Sequence, residues 1–292
     1  MKKEPQRIRF HNFNNPQSRF DLLKVEELFR RETPDHNPEL LHKVDFFLIL
    51  LLTEGEGIHS IDFTDHPYQQ GSLFTIRKDQ IHHFTKTPEA KGYMLLFTDD
   101  FLLRYLDKSE VQKSFQLFNE LIGSPKIQLS EEELGEILGI VERMGKEYFQ
   151  LNDSFSSDVI RSELHILITK LYRIKSQKNQ MIQGKKYLDE FIRFQELVEE
   201  KVTQTNRVQD YADMMGLSSK TLTNISKSIL NKTAKEFIDE INIKQIKRLL
   251  INTPHSVKEI AYASGFEETT NFYKYFKRHV QLTPEQFRAD FS

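Results

Sequence analysis

The stretch IAYASGFEETTNFYKYFKRHVQLTP, residues 260–284, has helical apolar spacing at both ends and the pair Gly265-Phe266 between them. A glycine inside an α-helix costs roughly 0.5–1 kcal/mol relative to alanine. The glycine therefore predicts the end of one helix and a turn into a second helix. If this break has a structural role, the same arrangement should occur elsewhere in the chain.

An upstream segment repeats the arrangement. VQDYADMMGL at 208–217 aligns with VKEIAYASGF at 257–266, so that a valine, an alanine, a glycine and an apolar residue recur in step. After the turn the second copy is one residue longer, which pairs Lys227 with Lys277. Two copies in step indicate a duplicated unit. Each copy fits the helix-turn-helix plan, in which alanine permits close approach of the second helix and glycine adopts the left-handed conformation.

Capping residues support these helix boundaries independently. Three segments begin with Ser or Thr followed three positions later by Glu or Gln: Ser256 with Glu259, Thr233 with Glu236, and Thr283 with Gln286. This spacing is typical of a capping box, and Pro284 suits the first position of a helix. The region after residue 186 is therefore predicted to be all-helical, with a connecting helix between the two copies.

The first third of the chain has a different period. Short apolar runs predict antiparallel strands at 20–25, 45–52, 57–63, 72–76 and 92–97. The breakers between them, such as Asp65-His66-Pro67, are spaced as in an antiparallel sandwich or small barrel. From Asp99 onward the spacing becomes helical, and two helices at 131–149 and 154–175 predict a hairpin. Its apolar stripe could pack on the sandwich or against a partner subunit, and the pattern favours neither.

Composition excludes several classes of function. The chain has no cysteine, which removes disulfides, thiolate metal sites and cysteine nucleophiles. Its longest apolar run, 46–52, is far shorter than the roughly 20 residues of a membrane span, and the start MKKEPQRIRF lacks the apolar stretch of a signal peptide. We therefore expect a soluble, cytoplasmic protein with no membrane partner. The net charge of −2 means that any nucleic-acid binding must rest on local patches.

The segment KEIAYASGFEETTNFYKYFKRHVQLTPEQFR, at 258–288, resembles the signature of the AraC-type (AraC/XylS) transcriptional regulators. In that signature IA, GF, an aromatic six residues after the phenylalanine, FK followed by a basic residue, and TP recur in order. The resemblance covers 185–292 closely and the first half loosely. It implies a regulator that binds DNA and carries a cupin-like sensor. The sequence departs from the family pattern at four positions, where serine, arginine, glycine and phenylalanine are usual: Thr270, Lys274, Gln281 and Ser226.

Together these observations predict an α+β multidomain fold. The N-terminal part is an antiparallel β-sandwich or cupin-like barrel with a helical hairpin, and the C-terminal part is an all-α domain with two helix-turn-helix motifs. The expected bounds are 1–98 for an effector-sensing sandwich, 99–175 for a dimerising hairpin, 176–186 for a linker and 187–292 for the double helix-turn-helix domain.

The second helix of a helix-turn-helix lies in the major groove and presents its early side chains to base edges. In the first copy this helix covers about 219–228, and its polar face offers Ser219, Lys220, Thr221, Thr223, Asn224 and Lys227. In the second copy the corresponding side chains are Thr269, Thr270, Asn271, Tyr273, Lys274 and Lys277. An asparagine can bind adenine with two hydrogen bonds, and lysine suits guanine or phosphate. The alternative is that these side chains form an ordinary solvated face.

The resemblance to a metal cupin is incomplete. His42 fits the first ligand position and His82 the last, but Val44 and Leu48 occupy the other two. A divalent metal usually needs at least three protein ligands, so we predict no metal and no cofactor. Three further histidines have no spacing that requires a metal: His59, His66 and His83.

A small-molecule site in the barrel is the stronger hypothesis. Aromatic residues with a few polar groups commonly line such a pocket. The candidates are Phe46, Phe63, Phe74 and His82, with Asp45 and His42 at the rim, and core packing remains the alternative for each aromatic.

The sequence therefore predicts a sequence-specific regulator and not an enzyme, because it contains no GxSxG motif and no phosphate-binding glycine loop. Expected partners are double-stranded DNA, a second copy of the chain, an unknown effector and, as a further candidate, RNA polymerase. Two alternatives stay open: a constitutive DNA-binding regulator whose N-terminal domain only dimerises, and a cupin enzyme fused to a DNA-binding module.

Overall fold

A computed structural model describes residues 6–12, 15–30, 39–78, 80–84, 90–98, 100–101, 117–118, 124–178, 187–230 and 232–290. These residues form two compact units, one on each side of the gap at 179–186. The first unit contains two five-stranded sheets and a helical hairpin, and the second contains helices alone. The predicted fold class is confirmed.

The two sheets of the first unit are antiparallel apart from the β1–β3 pair. Sheet A has the order β1-β3-β8-β5-β6, with β1 at Gln6–Ile8, β3 at His42–Val44, β8 at Ile81–Phe84, β5 at Gly57–Ile61 and β6 at Thr64–Tyr68. Sheet B has the order β10-β7-β4-β9-β2, with β10 at Lys126–Gln128, β7 at Ser72–Ile76, β4 at Phe47–Glu54, β9 at Lys91–Phe97 and β2 at Phe20–Lys24.

The helices of the first unit are α1 (Val25–Arg30), α2 (Glu131–Lys146) and α3 (Ser156–Lys178). Ser130 and Glu133 form a capping box at the start of α2. A π-helical turn, Glu147–Leu151, follows α2, and Asn152 then reverses the chain with a φ of 43°. The hairpin is braced by Arg143 Nε, which lies 2.7 Å from Glu163 Oε1 on α3.

Strand β4 lies in the middle of a three-layer arrangement. Its side chains alternate between two cores: Phe47, Ile49 and Leu51 pack with the hairpin, while Leu48, Leu50 and Leu52 pack with residues of sheet A. A strand covered on both faces reads as a continuous apolar run. This double burial explains the unbroken sequence FFLILLL at 46–52.

The second unit contains seven helices among the described residues: α4 (Leu188–Lys201), α5 (Val208–Met215), α6 (Ser219–Leu230), α7 (Ala234–Asn252), α8 (Val257–Ala263), α9 (Thr269–Val280) and α10 (Pro284–Asp290). Aromatic rings fill its core, with Phe194 contacting both Tyr211 and Phe237, and Phe276 contacting Phe287. Capping boxes at Thr233 and Ser256 start α7 and α8 as predicted.

Several sequence predictions are wrong. Asp65-His66-Pro67, expected to break a strand, lies within β6, and proline is tolerated there because β6 is an edge strand. Strands β3 and β8 were missed because histidines take the place of their apolar residues. The segment after Asp99 is not helical throughout, since β10 pairs with β7. Helix α3 continues to Lys178, three residues into the predicted linker, and the remainder of that linker lies outside the described residues.

Within the described part of the chain, no helix combines the length and the apolar character needed to cross a membrane.

Candidate nucleic-acid interface and effector site

The two glycine turns have closely similar geometry. Gly216 has a φ of 67°, and the backbone N–H of Leu217 donates to the carbonyl of Ala212 across 2.8 Å. Gly265 has a φ of 80°, and the N–H of Phe266 donates to the carbonyl of Ala261 across 3.1 Å. Both glycines thus adopt the predicted left-handed conformation, and each turn satisfies a carbonyl at the end of its first helix.

The polar face of α6 points away from the core of its unit. Leu222, Ile225 and Ile229 are buried, while Lys220, Asn224 and Lys227 are exposed, and Ser219, Thr221 and Thr223 are half-buried. Ser219 donates from Oγ to Gln209 Oε1 across 2.6 Å, which ties the start of α6 to α5. The predicted side chains of the first motif therefore share one accessible face.

The second recognition helix, α9, has the same division. Phe272, Tyr275 and Phe276 are buried, while Thr270, Asn271, Lys274 and Lys277 are exposed and Thr269 and Tyr273 are half-buried. The Tyr273 hydroxyl donates to Glu285 of α10, and this hydrogen bond, with partial burial, raises the pKa of Tyr273 to about 12. Tyr273 is thus engaged inside its own unit, in contrast to its exposed neighbours.

Ion pairs separate the lysines into two groups. Lys232 Nζ lies 2.7 Å from Glu240 and Lys235 Nζ lies 2.9 Å from Asp239, so the connecting helix α7 supplies acids to both. Both lysines lie in the segment 217–235, which contains four lysines and no acid of its own. Four exposed lysines on the recognition helices form no ion pair within the described residues: Lys220, Lys227, Lys274 and Lys277. Each recognition helix thus exposes two lysines that are not held in an ion pair by the described residues.

A row of histidines lies on the inner face of sheet A. His42 and His82 are directly opposite each other on β3 and β8, with ring centroids 4.0 Å apart. His59 on β5 lies 5.3 Å from His82, and its ring faces Phe74 of sheet B at 5.2 Å. These three histidines are almost completely buried.

The predicted effector site does not include His59, which the sequence offers only as a candidate metal ligand. Both of its ring nitrogens are buried and form no hydrogen bond within the described residues. Burial, and then the neighbouring histidines, lower its pKa well below 6.5, so the ring is neutral at neutral pH. The sequence signal for its burial was that His59 and Ile61 are two residues apart on one strand and therefore share a face. That spacing does not distinguish a binding residue from an ordinary core residue.

The remaining predicted barrel residues are more dispersed. Phe46 is buried against Phe10, with ring centroids 5.9 Å apart, and the Asp45 carboxylate accepts a hydrogen bond from the N–H of Phe10 across 2.8 Å. Phe63 lies in the two-residue turn between β5 and β6, with a φ of 66°. The structure therefore brings His42, His82 and Phe74 together around His59. Among the described residues, no group of three or more His, Asp or Glu side chains is arranged to hold a metal ion.

Two protein families match the chain in succession. Residues 24–166 match the family described as an AraC-like ligand binding domain, and residues 211–290 match the family described as a helix-turn-helix domain. The chain belongs to the AraC-type transcriptional regulators. This AraC-type regulator therefore carries its ligand-binding domain in the N-terminal unit and its DNA-binding domain in the C-terminal unit.

Its curated relatives are also transcriptional regulators. The chain is 22% identical over 251 residues to the HTH-type transcriptional activator RhaR of Enterobacter sp. (strain 638), covering 85% of this chain and 86% of that protein. It is 28% identical over 91 residues to the melibiose operon regulatory protein of Escherichia coli (strain K12), covering 31% of this chain and 30% of that protein. Among solved structures, unsaturated fatty acid bound ToxT from Vibrio cholerae strain SCE256 is 18% identical, with a TM-score of 0.44 over 84% of this chain and 87% of that chain.

Proposed function

We propose that this AraC-type regulator reads DNA by inserting α6 and α9 into successive major grooves on one face of the duplex. The observation that carries the proposal is the pair of recognition helices, each presented by the same glycine turn and each exposing unpaired lysines. Successive major grooves on one face are about 34 Å apart, so one subunit would cover two helical turns.

The exposed side chains divide by chemistry. Asn224 and Asn271 suit direct reading of adenine, and Lys220, Lys227, Lys274 and Lys277 suit guanine or phosphate. Thr221, Thr223, Thr269 and Thr270 are short hydroxyl groups that can reach either. Ser219 and Tyr273 already donate to Gln209 and Glu285, so we assign them to the support of the two motifs more than to base contacts.

The test compares three substitutions on duplexes that the wild-type protein selects from a random-sequence pool. Lys227→Ala should weaken binding to all sequences and reduce the slope of log affinity against log salt by about 0.9, because one phosphate contact is lost. Asn224→Ala should instead relax discrimination at one base pair, by about 1–3 kcal/mol. Lys232→Ala is the matched control, because that lysine is paired with Glu240 and should leave the slope unchanged. Unchanged affinity and specificity in the first two variants would exclude this placement of α6.

We propose that the N-terminal unit binds a small-molecule effector around the buried histidine row. Unpaired polar atoms in a protein core cost roughly 1–3 kcal/mol each, and a bound ligand that donates and accepts hydrogen bonds would offset that cost at His59. The candidate residues are His42, His59, His82 and Phe74 at the centre and Asp45, Phe46 and Phe63 farther out. The alternative is a constitutive regulator whose N-terminal unit only dimerises.

A thermal-shift screen of metabolites distinguishes these two possibilities. An effector should raise the melting temperature of the wild-type chain and of a His255→Ala control in the C-terminal unit, but should lose most of its effect in His59→Phe. It should also change affinity for the selected DNA. A screen in which no metabolite stabilises the chain, with DNA affinity constant throughout, favours the constitutive alternative.

We further propose that the hairpin forms a homodimer through α3. Val159 and Ile166 are 39% and 41% exposed, and they lie on one side of α3 with Ser162 between them. Val159→Glu combined with Ile166→Glu should produce monomers in analytical ultracentrifugation. Ser157→Glu introduces one glutamate on the opposite side of α3 and should leave a dimer intact. Equal sedimentation of all three proteins would refute this interface.

The proposed activity is binding and not catalysis, because relatives that span most of the chain are transcriptional activators. RNA polymerase is a candidate partner if this regulator activates transcription as they do. DNA as the partner also agrees with the expected cytoplasmic location.

A further inference from the structure

Asp239 is a buried carboxylate on the helix that connects the two motifs. It is 6% exposed, on a helix that is buried or half-buried at almost every position. Its Oδ1 accepts a hydrogen bond from the Tyr275 hydroxyl of α9 across 2.8 Å, and Lys235 Nζ lies 2.9 Å from the same oxygen. His279 of α9 places Nε2 3.9 Å from Oδ2. One carboxylate therefore joins the connecting helix to the second recognition helix.

The same cluster reaches the first motif. Lys235 Nζ also donates to the backbone carbonyl of Asn206, across 3.0 Å, in the segment that precedes α5. A continuous path of polar contacts thus runs from Asn206 through Lys235 and Asp239 to Tyr275. It links the start of the first motif to the recognition helix of the second.

A second attachment holds the other end of α7. Arg288 of α10 donates from Nε to the carbonyl of Leu250 across 2.8 Å and from Nη2 to the carbonyl of His255 across 2.8 Å. At 1.5 Å per residue, Asp239 and Leu250 are about 16 Å apart along α7. Two attachments at that separation resist rotation of the second motif about the connecting helix, whereas one attachment would leave a pivot.

The chemistry of the cluster favours a role in geometry over a role in stability. Asp239 is buried, but the Lys235 side chain is 45% exposed, and an ion pair with an exposed member typically contributes at most about 1 kcal/mol to stability. The best attested use of a polar group in a core is to specify register. Burial and the adjacent carboxylate raise the pKa of Tyr275, so its hydroxyl remains a donor at physiological pH. The hydroxyl can therefore donate to Asp239 throughout the physiological pH range.

We propose that Asp239 is a positioning residue for DNA recognition, which holds Tyr275 and Lys235 so that the angle between α6 and α9 is fixed. The fixed angle selects the spacing between the two base-contact sites on DNA. This inference rests on the proposed docking of α6 and α9 in successive grooves. Its distinctive consequence is a preference for one spacing, in addition to a preference for certain bases.

The experiment measures the spacing preference of the full chain. The parent duplex is one selected by the wild-type protein, and one base pair is inserted or removed between its two contact sites. The quantity measured is the dissociation constant for the altered duplex divided by the dissociation constant for the parent duplex. Tyr275→Phe should lower this ratio about five-fold, since it removes one hydrogen bond that resists the rotation. Tyr211→Phe is the matched control: its buried hydroxyl donates to the carbonyl of Thr205 across 2.8 Å, upstream of the first motif. It should keep the wild-type ratio within about two-fold.

Substitutions of Asp239 provide a second test. Asp239→Asn retains an oxygen acceptor for Tyr275 and should preserve more of the spacing preference than Asp239→Ala, with thermal unfolding measured for both. If Tyr275→Phe and Tyr211→Phe change affinity equally at every spacing, the positioning role is refuted and the hydroxyls are merely structural. A wild-type protein without any spacing preference would overturn the two-groove docking itself.

Discussion

Alanine at Gly265 and alanine at Gly216 should have unequal effects on stability, although both glycines end the first helix of a motif. Both have positive φ values, 80° and 67°, and a left-handed alanine costs on the order of 1–2 kcal/mol. Alanine also lowers the conformational entropy of the unfolded chain, which offsets about 0.4–1 kcal/mol of this cost. At Gly216 an added Cβ meets no heavy atom within 4 Å, so the net loss there should be about 1 kcal/mol.

At Gly265 the added Cβ would lie 2.7 Å from the carbonyl oxygen of Thr203 and 3.3 Å from its carbon. Both are backbone atoms, so the loop after α4 must move, and such overpacking typically adds 1–3 kcal/mol. We therefore expect Gly265→Ala to lose about 2–4 kcal/mol in total.

Urea unfolding of the full chain, followed by circular dichroism at 222 nm, would measure both losses. The chain has no tryptophan, so fluorescence cannot assign the loss of stability to one unit. Hydrogen exchange of peptides from α8 and α9 would instead locate the loss in the second unit. Equal losses at the two glycines, or a larger loss at Gly216, would refute the steric argument.

Three further predictions concern single side chains. Gln281 has a φ of 64°, so Gln281→Gly should raise the urea midpoint by the equivalent of about 0.5–1 kcal/mol, even though the hydrogen bond from its Nε2 to the Arg278 carbonyl is lost; a lower midpoint would contradict this. The Ser226 hydroxyl is buried and forms no hydrogen bond within the described residues, so Ser226→Ala should leave stability unchanged or raise it by up to about 1 kcal/mol in the same assay; a clear loss would reveal a partner. The pKa of His59 is lowered in the folded state, so below about pH 6.5 the unfolded chain binds the additional proton and the stability of the first unit falls. His59 should contribute a slope on the order of 1.4 kcal/mol per pH unit in thermal melts between pH 7 and pH 5. His59→Phe should remove that contribution and leave those of His66 and His83, whose pKa values are also lowered by burial.

Local signals account for most of what the sequence predicted correctly. The capping boxes at Thr233 and Ser256 and the turns at Gly216 and Gly265 depend on residues a few positions apart, so their pattern is visible in the chain itself. The side chains proposed to contact DNA were predicted from the same helices. They remain predictions as contacts, but their shared exposed face could be derived from helical periodicity.

Sheet A was harder to predict because its strands depend on partners distant in sequence. Strand β8 reads IHHF, and only its pairing with β3 and β5 turns His82 towards the core. Pro67 is acceptable only because β6 is at an edge, and edge position is a property of the assembled sheet. The acids that pair with Lys232 and Lys235 likewise lie on α7, outside the segment 217–235. The charges within that segment therefore do not reveal these ion pairs.

The alternation along β4 has a mechanical consequence. Leu50 pairs with Phe74, the residue that faces His59, while Ile49 and Leu51 on the reverse side pack with the hairpin. Close-packed interiors are poorly compressible, so a strand enclosed on both sides cannot shift without rearranging both sets of neighbours. A shift of β4 by as little as the width of a methyl group would therefore change the packing of the hairpin as well as the packing between the two sheets.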